Sequence, residues 1–143
     1  MKKNKIISIL LVIFVVLAII GIVWYKMENR QVYVPDIPNS HNLSSISYEL
    51  PSGLITVAEE DKMDKILNGL YDLELSTQEE SVQGVPMGVE DLVAIRLYYK
   101  EDDAVGNFYI YKVKDKYYLE EPYNGVYKIS EKDYNYIIDL IKE

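Results

Sequence analysis

Side chains able to do acid–base chemistry come in short acidic runs: Glu59-Glu60-Asp61, Glu79-Glu80, Glu90-Asp91 and Glu101-Asp102-Asp103. Two carboxylates placed across a cleft can hydrolyse a glycosidic bond, one as acid and the other as base or nucleophile. Hard oxygen donors such as those at 101–103 also suit calcium, but their spacing departs from that of an EF-hand loop. The chain has no cysteine, which excludes thiol nucleophiles, disulfides and thiolate metal sites. Its single histidine, His41, sits among polar residues, and no Gly-rich phosphate loop or Ser/His/Asp set accompanies it. The sequence therefore names no catalytic residue, no metal ligand and no cofactor. The acidic runs read as solvated turn and helix-end charges, with an envelope hydrolase using paired acids as the alternative.

Tyrosine supplies the other chemistry. Ten of the fourteen tyrosines lie between Tyr98 and Tyr136. Tyr favours strands, buries a large ring and keeps its hydroxyl wet, so packing accounts for many of them. Alternation decides which remain. In "LVAIRLYYK", Val93, Ile95, Leu97 and Tyr99 share one face and Ala94, Arg96 and Tyr98 the other. In "NFYIYKV", Phe108 and Ile110 oppose Tyr109 and Tyr111. If helices cover the aliphatic face, then Arg96, Tyr98, Tyr109 and Tyr111 share the open one, in a composition typical of interfaces. Two readings stand for that face: margin packing, or a surface for an envelope protein or a glycan.

The elements that must position these side chains follow from periodicity. "LSSISYEL" alternates as a half-buried strand, "PSG" forms a short loop with Gly53 free to take a positive φ, and "LITVA" returns. Met63, Ile66, Leu67 and Leu70 then fall on one face of a helix, whose first turns carry Glu59, Glu60, Asp61 and Asp64 where the dipole favours carboxylates. Gly69 inside it costs about 1 kcal/mol relative to Ala. "STQEESVQGVPMGVED" has no sustained period and predicts a long surface loop. Four strands follow, separated by "EDDAVG", a tight turn at Asp115-Lys116, and "PYNG". Ser130 caps a closing helix with the apolar stripe Tyr134, Ile137, Ile138 and Ile141. The order ββα-ββββ-α predicts an α+β fold: an antiparallel sheet of about six strands, the last ones short, with two helices on one face.

Upstream lies a different kind of segment. "MKKNK" precedes an uncharged run from Ile6 to Tyr25. Twenty helical residues reach about 30 Å, the thickness of a bilayer's hydrocarbon core. Trp24 and Tyr25 at the far end suit the headgroup region, and bulky Ile22 and Val23 stand where a signal peptidase needs small residues. The domain organisation expected is a cytoplasmic basic segment at 1–5, a transmembrane anchor at 6–25, a Pro-containing stalk at 26–42 and an extracytoplasmic α+β domain at 43–143. The lysines favour the N-terminus inside. From residue 31 onward, 22 acidic and 10 basic side chains give a net charge of −12, which repels phosphate backbones and argues against nucleic acid as a partner.

Two segments carry a resemblance. Thr77, Glu80, Ser81 and Val82 form a T-x-x-E-S-V pattern, and Tyr118, Pro122, Tyr123, Gly125 and Tyr127 form Y-x-x-x-P-Y-x-G-x-Y. In combination, over roughly residues 43–138, they resemble an uncharacterised family of small extracytoplasmic domains from Gram-positive, clostridial-type bacteria, a domain of unknown function. The resemblance implies a location outside the cytoplasmic membrane and transfers no ligand or catalytic residue. The expectation is a single-pass protein of the bacterial envelope that binds or senses, not an enzyme; a purely structural tether is a further alternative.

Overall fold

The structure is a computed structural model and describes residues 2–28, 34–50, 52–75, 77–82 and 84–142, with side chains described except at 2–6, 8–10, 28, 77 and 78. The chain divides into two compact units, Met1–Val32 and Tyr33–Glu143.

The first unit is helix α1, Lys2–Glu28. Its side chains along residues 11–27 are exposed and mostly aliphatic or aromatic. Among the described residues, no helix is long and apolar enough to cross a membrane. The expected anchor at 6–25 includes residues 6 and 8–10, whose side chains lie outside the described residues, so the helix is present and the span itself rests on the sequence.

The second unit is an α+β domain built on β1 (Leu43–Leu50), β2 (Gly53–Val57), α2 (Glu60–Tyr71), β3 (Thr77–Glu80), β4 (Glu90–Tyr99), β5 (Val105–Val113), β6 (Lys116–Glu121), β7 (Gly125–Ile129) and α3 (Glu131–Lys142). All strands pair antiparallel in one seven-stranded sheet of order β2-β1-β4-β5-β6-β7-β3. The core lies between one sheet face and the two helices. Ile46, Ile95, Leu97, Phe108, Ile110, Leu119 and Tyr127 meet Ile66, Leu70, Ile137 and Ile141 there. Ser130 caps α3 reciprocally: its Oγ accepts from the Asp133 amide at 3.0 Å and donates to the Asp133 carboxylate at 2.8 Å. Gly69 on α2 faces α3. A Cβ at that position would stand 2.6 Å from Leu140 Cδ1 and 3.1 Å from Ile137 Cδ1.

Three sequence expectations change. The sheet has seven strands where about six were expected, because Thr77–Glu80, inside the expected loop, pairs with β7. "TQEE" has no apolar alternation because it is an edge strand held by its backbone ladder. The β5–β6 turn is Lys114-Asp115, one residue earlier than expected, with Val113 opposite Lys116 and Lys114 at φ 55°. Residues 34–39, expected as stalk, are bonded to the domain: Asn124 Nδ2 donates to the Val34 carbonyl at 2.9 Å, and the Asp36 amide donates to Glu121 Oε2 at 2.9 Å.

Three strands separate β3 from β4 in the sheet, so the connection between them spans four strand spacings, about 19 Å. Its described residues, 81–82 and 84–89, lie as a strap on the face opposite the helices. Val89 packs there with Leu92 and Tyr118 against a second, smaller core of Ala94, Tyr109 and Tyr111, and Pro86 is buried in the same segment.

Candidate functional site

The strap and the sheet beneath it form the feature best placed to act. Alternation puts Arg96, Tyr98, Tyr109 and Tyr111 on the face away from the helices, as the sequence predicts, but that face is not open. Tyr109 and Tyr111 are 6% and 5% exposed, so packing under the strap accounts for both rings. Tyr111 stacks on Tyr118 with centroids 5.6 Å apart. Tyr98 lies further along β4, opposite Ser45 and Val105.

Where the strap meets β1, β4 and β5, a groove of about 340 Å3 remains, lined by Glu49, Leu50, Val85, Leu92, Ala94, Arg96 and Tyr109. Of the four expected face residues, the groove takes Arg96 and Tyr109. Arg96 Nη2 donates to Glu49 Oε2 at 3.0 Å across the β1–β4 register. That pair is half-exposed, so either charge can turn to a ligand at small cost. Val85 and Met87 on the strap are 53% and 86% exposed.

At its other end the strap is clamped. Glu120, fully buried on β6, accepts from Ser81 Oγ at 2.6 Å through one oxygen and from Tyr111 Oη at 2.9 Å through the other. Burial, followed by that bond to Glu120, raises the Tyr111 hydroxyl above its ordinary value. Ser81 Oγ also accepts from the Tyr123 amide at 3.3 Å, and the Ser81 amide donates to the Asn124 carbonyl at 3.4 Å. The two sequence patterns thus meet. Glu80 pairs with Gly125 across β3–β7. Pro122 and Tyr123 form a turn closed by the Asn124 amide on the Glu121 carbonyl at 3.1 Å, with Tyr123 at φ 61° where Gly or Asn is usual. Gly84 passes beside that ring: a Cβ there would stand 3.2 Å from the Tyr123 hydroxyl. Tyr127 is buried in the helix-side core, Val82 is exposed, and the Thr77 side chain lies outside the described residues.

Sequence reasoning missed Glu120, Glu49, Leu92 and Val85. Glu120 was detectable in principle, since alternation from Tyr118 aims it at Tyr109 and Tyr111. The acidic runs are dispersed: the start of α2, the β3 edge, the entry to β4, and the β4–β5 turn, where Asp102 accepts the Ala104 amide. Among the described residues, no three His, Cys, Asp or Glu side chains converge to hold a metal ion.

The DUF5301 profile, described as "Domain of unknown function (DUF5300)", matches residues 28–128. The chain belongs to this family. The DUF5301 match spans β1 to β6 and most of β7, so it contains the strap, its clamp and the groove. No curated protein matches the chain. A solved structure, the "NMR structure of the protein from Ruminococcus gnavus", is similar at 25% identity with a TM-score of 0.56, covering 69% of this chain and 97% of that one.

Proposed function

We propose that this DUF5301 protein is a membrane-anchored binding module of a Gram-positive bacterial envelope, with residues 6–25 spanning the cytoplasmic membrane and the α+β domain outside. The lysines at 2, 3 and 5 and the uncharged run that follows support that topology. The groove between strap and sheet carries the binding reading. It joins a half-exposed Arg96–Glu49 pair, the Tyr109 ring and the apolar Val85 side chain, beside an exposed Met87. Such a mixture of aromatic, Arg and aliphatic surface takes a protein segment: an apolar side chain enters the groove and a polar group meets Arg96.

A photo-crosslinker in place of Met87, with another in place of the exposed Lys132 on α3 as control, tests this in native membranes. A discrete adduct at 87, absent at 132 and lost on adding Arg96→Glu, is expected. Identical adducts at both positions would remove the groove as the binding site. A C-terminal reporter active only in the cytoplasm would reverse the topology.

A further inference from the structure

The β2 edge of the sheet has none of the usual protection. β2 is the terminal strand, and β1 is its only strand partner among the described residues, in an unbroken register from Ile46–Val57 to Leu50–Gly53. Its outer row of backbone groups is therefore unpaired. Proteins blunt such edges with charges, proline or bulges. "GLITV" contains none of these, whereas the opposite edge strand, β3, carries exposed Glu79 and Glu80.

β2 also leaves apolar side chains uncovered on both faces. Leu54 is 62% exposed and lies opposite Glu49; Ile55 is 39% exposed and lies opposite Tyr48 on the helix side. Beside it, on that helix side, is a hollow of about 140 Å3 lined by Tyr48, Val57, Ile66 and Leu140, with Lys62 and Lys65 on its rim. A cavity of about 150 Å3 admits one benzene-sized group. Glu59 at the N-cap of α2 and Glu60, Asp61 and Asp64 within it do not line the hollow. Lys62 pairs with Glu59 at 3.0 Å, but both are exposed, and such a pair exchanges partners at little cost.

We propose that β2 is a docking edge for an extended acidic segment of another protein. The segment adds as a further strand, puts one apolar side chain into the hollow and sets carboxylates against Lys62 and Lys65. Main-chain bonds give affinity and the hollow and lysines give selectivity, the usual division in strand addition. Charge decides against a second copy. "GLITV" offers no carboxylate to Lys62 and Lys65 of a second copy.

Full-length protein in nanodiscs, titrated into fluorescein-labelled eight-residue peptides of alternating Glu and Val or alternating Lys and Val, tests the proposal by anisotropy. The acidic peptide is expected to bind at least about tenfold more tightly at about 0.15 M salt, and Lys62→Glu/Lys65→Glu to reverse the order. Screening beyond about 8 Å at that ionic strength leaves Lys62 and Lys65 to act over the domain's net negative charge. Neighbouring strand residues aim their amides to opposite sides. Hence one of Ile55→Pro and Thr56→Pro removes an outward amide and abolishes binding with folding intact. If neither proline variant folds, the charge-reversal variant, altered at exposed side chains, decides alone. Equal binding of the two peptides, or binding by a folded outward-proline variant, overturns the proposal. So does concentration-dependent dimerisation abolished by the same proline, which would assign the edge to a second copy.

Discussion

Ser81 Oγ lies 2.6 Å from Glu120 Oε1, joining residues 39 positions apart in the chain. The bond ties the start of the strap to the C-terminal end of β6, and Tyr111 closes the same carboxylate from β5 at 2.9 Å. A fully buried carboxyl group needs each such donor, because desolvation is otherwise uncompensated. The clamp fixes where the strap begins, and so where Val85 and Met87 arrive over the sheet.

Ser81→Ala is expected to destabilise the domain by about 1–3 kcal/mol in urea unfolding, since it leaves a buried acceptor short of a donor. In a double-mutant cycle with Tyr111→Phe, the two changes should couple by about 0.5–2 kcal/mol. Strict additivity would mean that the hydroxyls do not act on one carboxylate.

Tyr127 gives a pH prediction. Burial, then the charge of Glu121, pushes its hydroxyl from the ordinary 10 up to about 12. Below pH 10 the phenol is neutral in both folded and unfolded chains, so its contribution is fully present there. Between pH 10 and 12 the unfolded chain ionises while the folded one does not, and stability falls with each unit of pH. Tyr111, raised further by burial and Glu120, adds to the same loss. The Tyr127 hydroxyl has no hydrogen-bond partner among the described residues. Tyr127→Phe should therefore be neutral or stabilising by about 1 kcal/mol at pH 7, and should raise the midpoint of alkaline unfolding.

Gly69→Ala should destabilise, although Ala is the better helix former. Its methyl group would press on Leu140 and Ile137 of α3, and overpacking of that kind costs about 1–3 kcal/mol against a propensity gain of about 1. A rise in Tm would show that the α2–α3 crossing has room to spare.

The two sides of the groove should respond differently to mutation. Tyr109→Ser/Tyr111→Ser removes two buried rings and should unfold the domain, since loss of one buried aromatic costs about 3–5 kcal/mol. Arg96→Ala breaks a half-exposed pair and should change stability by under about 1 kcal/mol. Circular dichroism melts separate the cases, and Arg96→Ala then reports on partner capture alone.

Much of the fold was legible in the sequence, for identifiable reasons. Strict alternation in β1, β4 and β5 gives both sheet faces, and the i, i+3, i+4, i+7 pattern gives α2. Ser130 and Gly53 behave as their types require, as cap and positive-φ turn residue. β3 was illegible because an edge strand of polar residues carries no pattern; its ladder to β7 exists only once the sheet has formed. Alternation along β5 puts Tyr109 and Tyr111 on one face, in one buried cluster. Its cover was not foreseen, because a crossing strap is a consequence of strand order, and strand order depends on that same unforeseen edge strand. The groove inherits this: Arg96 and Tyr109 were legible, whereas Val85 reaches them only through topology.

The bonds from the Val34 carbonyl and the Asp36 amide to Asn124 and Glu121 have a mechanical consequence. A force drawing on the chain ahead of residue 34 meets the β6–β7 turn before it reaches the first strand of the sheet. Those two exposed bonds would yield first, and Ile37, packed against the core ahead of the helical turn at Ser40–Asn42, would hold next. Load is thus expected to fall on the β6–β7 turn and on Ile37 before any strand of the sheet is stretched.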